Sequence, residues 1–334
     1  MAPRITIITP SYQQASYLEE CLRSVHEQVG ATVEHIVVDG GSTDGSAAVI
    51  RSWEPHLAWW CSGPDAGQSD ALNKGLAHAT GDVFGWINSD DRLLPGALSV
   101  VSERFASDPD LIILEGRRRL ERPDGSFERS SLNDHTSSDA LFVAPVINQQ
   151  ATFYRMDAVR AVGGIDPALH YCMDLDLWWR VLLAHGPGQV RTTDHELAVF
   201  RLQPASKTAE GTRGFVRETA ALLRAMAVAV GDTDMVSVLD SGYPDPPDLR
   251  ASNARPGQAA LVRRMIIRFL VKWNATIASE AGFRMMKRLS ELMGGDTVPG
   301  GPDLEARWKA MRPGLRAPGW WWYRLGRKLG LWIA

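Results

Sequence analysis

The chain has 334 residues, 45% of them hydrophobic, enough to bury a sizeable core in one large domain or two ordinary ones. Its three cysteines (Cys21, Cys61, Cys172) have no CxxC spacing, which excludes a clustered zinc site or a disulfide framework and fits a reducing compartment. The net charge of −3 divides unevenly: residues 251–334 carry 15 Lys/Arg against 5 Asp/Glu, a basic tail of +10 on an acidic body of −13, which argues against nucleic acid and for an anionic surface facing the tail.

MAPRITIITPSYQQ has no long apolar run and does not read as a signal peptide, and no 18-residue apolar stretch marks a spanning helix. ITIITP (5–10) is a β-branched run closed by proline, a buried strand. From Ser16 to Gln28, Tyr17, Leu18, Cys21, Leu22 and Val25 recur at helical spacing, with Ser16 placed to cap the helix. HIVVDGG (35–41) is a second buried strand running into a glycine turn, after which STDGSAAVIRSW starts a helix with Ser42 as its expected cap. LAWWCSGP gives a third strand, DALNKGLAHATG (70–81) a helix closed by Gly81, and DVFGWI (82–87) a fourth strand running into NSDD. This alternation implies an α/β fold with a mostly parallel, Rossmann-like sheet flanked by helices. Ligands gather at the carboxyl ends of such strands, where TPSY, DGGSTDG, PDAGQ and NSDD all fall.

Further on, turns stand at Pro123-Asp124-Gly125 and Gly163-Gly164, and 213–230 reads as a helix. Residues 240–258, rich in Pro, Asp, Ser and Gly, read as a linker after a helical segment 213–239, and 259–334 as a basic amphipathic helical tail. In 259–273, Val262, Met265, Ile266, Phe269, Leu270 and Trp273 share one face and Arg263, Arg264, Arg268 and Lys272 the other. FRMMKRLSELM (283–293) repeats the pattern. GWWWYRLGRKLGLWIA (319–334) holds four of the twelve tryptophans and three cations, the composition of an interfacial membrane helix, although packing on protein fits the same pattern.

Three clusters carry chemistry. In NSDD, Asp90 and Asp91 repel one another unless neutralised. Mg²⁺ or Mn²⁺ with phosphate oxygens would do so, and a solvated turn explains the same letters. Asp39 leaves a buried strand where Gly40 and Gly41 let a ligand approach the backbone; the pattern is not GxGxxG, and a tight strand-to-helix turn is the alternative. In HYCMDLDLWWR (170–180), Asp174 and Asp176 stand two apart on a helix, so they do not share a face. A carboxylate there serves either as a general base beside tryptophans or as a helix N-terminal acid.

The ordered series ITPSYQQ, YLEECLRSV, EHIVVDGGSTDGS and PDAGQSDALNKGLAHATGDVFGWINSDD resembles the family 2 glycosyltransferases, which have the nucleotide-binding GT-A fold. INQQATFYR, GGIDPAL, MDLDLWWR and FRLQPASKT (200–208) continue it more thinly. The resemblance implies a catalytic domain over 1–212. It implies that Thr9, Pro10, Ser11, Tyr12 and Asp39 hold base and ribose, with Gly41, the loop Asp65 to Gln68 and the pair Asn73-Lys74 near the nucleotide. Ser89-Asp90-Asp91 matches the family's metal-binding element: Asp91 is the expected ligand of Mg²⁺ or Mn²⁺, and Asp90 meets ribose or the metal's hydration shell. Asp174 inherits the role of catalytic base. Met173 stands where a Glu is commoner and Gln203 where many relatives have a His near the diphosphate, while Lys207 adds phosphate charge.

The implied activity is inverting transfer from a UDP- or dTDP-sugar to a saccharide or lipid-linked acceptor hydroxyl, in surface polysaccharide or glycolipid synthesis. The expected location is cytoplasmic, on the inner membrane face through 319–334, with a homo-oligomer as another use of the tail. A nucleotidyltransferase would want a glycine-rich basic loop after the first strand, which TPSYQQ is not. The departures at Met173 and Gln203 keep an inactive sugar- or membrane-binding scaffold as a further alternative.

Overall fold

Ile5–Thr9 is an unbroken β-branched run and forms the middle of β1 (Arg4–Ser11), buried from Ile5 onward. In this computed structural model, which describes residues 2–135, 137, 139–203, 212–274, 277–294, 297–299 and 301–329, the chain divides into two compact units. The first comprises Met1–Asn133 and Val146–Gly211, the second Asp134–Pro145 and Thr212–Ala334.

In the first unit, β1 lies between β2 (Thr32–Asp39) and β4 (Val83–Trp86), with β3 (Trp59–Ser62) beyond β2. All three pairings are parallel. The crossovers are α1 (Ala15–His26), α2 (Ser46–Trp53) and α3 (Gln68–His78). The parallel run ends at β4. β8 (Thr152–Arg155) pairs antiparallel with it, and β6 (Ile113–Glu121) antiparallel with β8. β9 (Val190–Arg201) is parallel to β6, and β5 (Arg92–Leu93) and β7 (Phe127–Arg129) add antiparallel pairs. The sheet is therefore mixed: the first four strands are parallel, β6 and β9 form a further parallel pair, and antiparallel pairings join the rest. Pro123-Asp124-Gly125 is the turn of the β6–β7 hairpin, where Gly125 takes φ +79°. α4 (Ala97–Ser107) and α6 (Met156–Ala161) complete the layers, and α7 (Met173–His185) carries the late acidic cluster.

Two expected caps fall elsewhere. Ser16 lies inside α1, whose first free N–H, that of Ala15, donates to Asp44 Oδ2 at 2.9 Å. Ser42 is committed to Asp39, and it is Asp44 Oδ1 that accepts from the first residue of α2, Ser46, at 3.0 Å. Gly81 does not close α3, which ends at Ala79. Its N–H donates to Thr6 Oγ1, and a Cβ there would lie 2.8 Å from the Arg4 carbonyl oxygen.

The second unit is helical: α5 (Ala140–Val143), α8 (Thr212–Val230), α9 (Thr233–Gly242), α10 (Ala259–Trp273), α11 (Glu280–Met293), α12 (Pro302–Leu315) and α13 (Trp320–Lys328). The apolar stripe of α10 is core: Val262, Met265, Ile266, Phe269 and Leu270 are buried, and only Trp273 reaches the surface. No helix among the described residues is long and apolar enough to cross a membrane.

Candidate active site

The carboxyl ends of β1, β2 and β4 bring the early motifs together. Thr9 is buried and its Oγ1 lies 3.0 Å from His35 Nε2, while Pro10 and Ser11 are buried beyond it and Tyr12 is 62% exposed at the rim. Ser11 Oγ and, on β4, Trp86 Nε1 are both sealed from solvent without a hydrogen-bond partner among the described residues.

Asp39 is fully buried, and its own turn occupies it. Oδ2 accepts from the Gly41 and Ser42 N–H groups and Ser62 Oγ (3.2, 2.9 and 2.7 Å), and Oδ1 from Ser42 Oγ (2.5 Å). Gly41 has φ +82° and lies against the backbone of Gly63 and Pro64, which only glycine tolerates. Asp65 accepts from Gly67 N–H at 2.9 Å just before α3. Gln68 donates to Asn88 Oδ1 at 2.7 Å, tying α3 to NSDD. Asn73 lies at the base of this region: its amide donates to Ile165 O and accepts from Ile165 N–H, anchoring the loop before α7. Lys74 reaches Pro64 O and Asp70.

In NSDD, Ser89 and Asp91 are buried. Asp91 Oδ1 accepts from Arg201 N–H and Oδ2 from Gln150 Nε2, each at 2.9 Å. Burial, and then the adjacent Asp90, push the Asp91 carboxyl up to about 8, against these two hydrogen bonds. Asp90 is less buried, and Gln203 Nε2 donates to its Oδ2 at 2.7 Å. Gln203, which the resemblance places where many relatives have a His, thus holds the Asp90 carboxylate.

Asp174 and Asp176 share the first turn of α7 and part company there. Asp176 is buried and forms an ion pair with Arg180 at 2.6 Å, whose guanidinium also donates to Val162 O and Gly164 O. Asp174 is partly exposed, and its Oδ1 accepts from Leu175 N–H. Met173 is buried. Arg118 of β6 joins the two ends of the site. Its guanidinium lies 4.8 Å over the Phe200 ring and feels the negative charge of both Asp91 and Asp174.

Lys207 lies outside the described residues. Gln150, Arg118 and the Arg201 backbone are site residues that motif reading passes over. INQQ carries a signal, three consecutive amides (Asn148, Gln149, Gln150) between apolar residues where a buried carboxylate needs donors.

Residues 6–162 match the model of Glycosyl transferase family 2. The chain is 31% identical over 192 residues to an uncharacterized glycosyltransferase of Mycobacterium tuberculosis, spanning 57% of this chain and 73% of that relative. It belongs to glycosyltransferase family 2. A second M. tuberculosis protein, uncharacterized, is 30% identical over 225 residues, 62% of this chain and 69% of that one. Among solved structures, S. aureus TarS 1–349 in complex with UDP-GlcNAc superposes with a TM-score of 0.61 at 14% identity, over 98% of this chain and 92% of that one. The mannosyltransferase PcManGT of Pyrobaculum calidifontis, in complex with GDP-Man and Mn²⁺, gives 0.54 at 19%, over 99% and 85%. At these identities the likeness establishes the GT-A fold of this glycosyltransferase.

Among the described residues, no group of three or more His, Cys, Asp or Glu is placed to hold a metal. Asp90 and Asp91 supply two hard oxygen donors, and the upward push on Asp91 is the electrostatic cost that a divalent cation would relieve. The residues therefore fit Mg²⁺ or Mn²⁺ when phosphate oxygens complete the shell.

Proposed function

We propose that this glycosyltransferase moves a sugar from a UDP- or dTDP-sugar to an acceptor hydroxyl with inversion, in polysaccharide or glycolipid synthesis. The observation that carries the proposal is the division of labour on α7. Asp176 is locked to Arg180, while Asp174, partly exposed, accepts from Leu175 N–H and, with Asp91, bears on the charge of Arg118. Asp174 takes the proton of the acceptor hydroxyl as the oxygen attacks the anomeric carbon opposite the leaving diphosphate. The transition state carries oxocarbenium character, as in glycoside hydrolysis. A divalent cation, when bound, acts as Lewis acid on the departing diphosphate.

Asp91, fixed by Gln150 and the Arg201 N–H, and the more exposed Asp90 would hold that cation. Ser11, Trp86 and Tyr12 line the nucleotide side with the turn that Asp39 shapes, and Lys74 adds a cation that reaches Pro64 O and Asp70. The catalytic domain is residues 1–212, and the protein acts at the cytoplasmic face of a membrane through part of 319–334.

The test is nucleoside diphosphate release from a panel of UDP-, dTDP- and GDP-sugars with Mn²⁺, Mg²⁺ or EDTA, followed by NMR of the new anomeric centre. Metal-dependent turnover of a uridine or thymidine donor with inverted product is expected. Retention, or no turnover with any donor, would overturn the mechanism or favour a scaffold.

A further inference from the structure

The cations of α10 are treated unequally by the fold. Arg263 pairs with Asp232 through two hydrogen bonds, 2.8 and 2.9 Å, and Arg264 pairs with Asp139 at 2.5 Å. One and two turns further on, Arg268, which is partly buried, and Lys272, which is exposed, form no ion pair or hydrogen bond among the described residues. Arg268 Nε, like Arg264 Nε, is sealed from solvent with no acceptor among the described residues, but Arg264 has Asp139 at its Nη2. Arg307, from α12, which packs on α10, is likewise unpaired among the described residues and adds its positive charge at Lys272.

Burial lowers the Arg268 and Lys272 titrations, and for Lys272 the charges of Arg268 and Arg307 lower it further. Among the described residues its Nζ lies 4.9 Å over the Trp273 ring, and Trp273 is itself 42% exposed. A fold that gives carboxylates to Arg263 and Arg264 and none to the next two cations keeps a place for an anion. A guanidinium fork beside an ammonium matches the oxygens of a phosphate.

We propose that Arg268, Lys272 and Arg307 form a phosphate-binding site on the helical unit, remote in sequence from the transfer motifs. The inference is independent of which donor the enzyme uses. The phosphate belongs either to a lipid headgroup, with Trp273 settling at the interface, or to a soluble phosphate.

The test uses the full chain and two probes. Sodium phosphate, added at constant ionic strength, should raise the melting temperature of the wild type and of Asp90→Asn, whose donor site is altered. It should leave Arg268→Gln/Lys272→Gln unmoved. Co-sedimentation with phosphatidylcholine vesicles containing phosphatidylglycerol should fall about fivefold per neutralised cation, and stay within about twofold in Lys309→Gln, an exposed cation of α12 outside the cluster. Arg307→Gln, at the exposed edge, carries the same readouts without disturbing buried packing. A thermal response without vesicle binding assigns a soluble phosphate. Retention of both responses by the double and Arg307 variants, their equal loss in Lys309→Gln, or loss of the thermal response in Asp90→Asn alone would each overturn the site.

Discussion

At the residue scale, the two acids of α7 differ by role, and their variants should differ by readout. Asp174→Asn should cut kcat by about 10² to 10⁴, the usual worth of a general base, with donor affinity and melting temperature nearly intact. Asp176→Asn should instead leave Arg180 buried without its partner, at a cost of about 3–5 kcal/mol, visible in denaturant unfolding. If Asp176→Asn is stable and slow while Asp174→Asn is active, the base has been assigned two residues early. Asp90→Asn keeps an acceptor for Gln203 and loses the charge, so it should raise the Mn²⁺ concentration needed for half-maximal rate at least about tenfold, a loss of about 1.4 kcal/mol. An unchanged Mn²⁺ dependence would move the metal off Asp90. The sequence reveals these carboxylates because an acidic pair at a strand end is conspicuous by charge. It hides Gln150, Arg118 and the Arg201 backbone, which act through a fold that brings positions 91, 150 and 201 into hydrogen-bonding distance.

At the element scale, short apolar runs and helical spacing made the first four strands and three crossovers legible, because each buries apolar side chains over a short span. The antiparallel half was not legible: β6 reads ILEGRRRLE, half polar, and its partners come from residues 152–155 and 190–201. Caps were misread for a related reason, since Asp44 serves two helix starts and one of them is 29 positions away. The β1–β2 pair carries a titration that a pH series can test. Burial, and then His26, hold His35 down to about 3 against an ordinary 6.5. A base with a depressed folded pKa binds its proton more tightly in the unfolded chain. Its contribution is therefore fully present above 6.5 and is lost as pH falls from 6.5 towards 3. His35→Gln, which keeps a partner for Thr9 Oγ1, should flatten the decline of melting temperature over that window. Equal slopes for the two proteins would show that carboxylates elsewhere set the acid limb. At the turn into β4, Gly81→Ala would press a Cβ against the Arg4 carbonyl and Thr6, backbone that cannot swing aside. It should destabilise by about 1–3 kcal/mol by chemical denaturation.

At the scale of the whole molecule, the charge asymmetry of the sequence resolves into an acidic body that bears the transfer motifs and a helical tail whose aromatics are sorted one by one. Trp320, half-buried, stacks on Tyr323 at 5.6 Å, and Tyr323, in the core of the helical unit, meets Phe283 of α11 at 5.1 Å. Trp321 and Trp322 are 65% and 54% exposed and pack edge-on to one another at 4.8 Å. Leu325 and the exposed Leu329 continue their face at helical spacing, with Arg324 and Lys328 beside it. Exposed indoles flanked by cations suit the headgroup layer, where rings settle independently of salt and each cation adds about 1 kcal/mol on anionic lipid. Membrane contact is thus proposed for half of the tryptophans that the sequence pattern pooled. Trp321→Ser/Trp322→Ser should reduce vesicle co-sedimentation at high and low salt alike. Arg324→Gln/Lys328→Gln should reduce it only at low salt, because a Debye length of about 3 Å at 1 M screens exposed charge. Trp320→Ser should chiefly lower the melting temperature by opening the contact with Phe283. Undiminished pelleting of the Trp321/Trp322 variant would locate the membrane contact elsewhere, and a shift of that variant from oligomer to monomer in light scattering would make the same face an interface between copies of the chain.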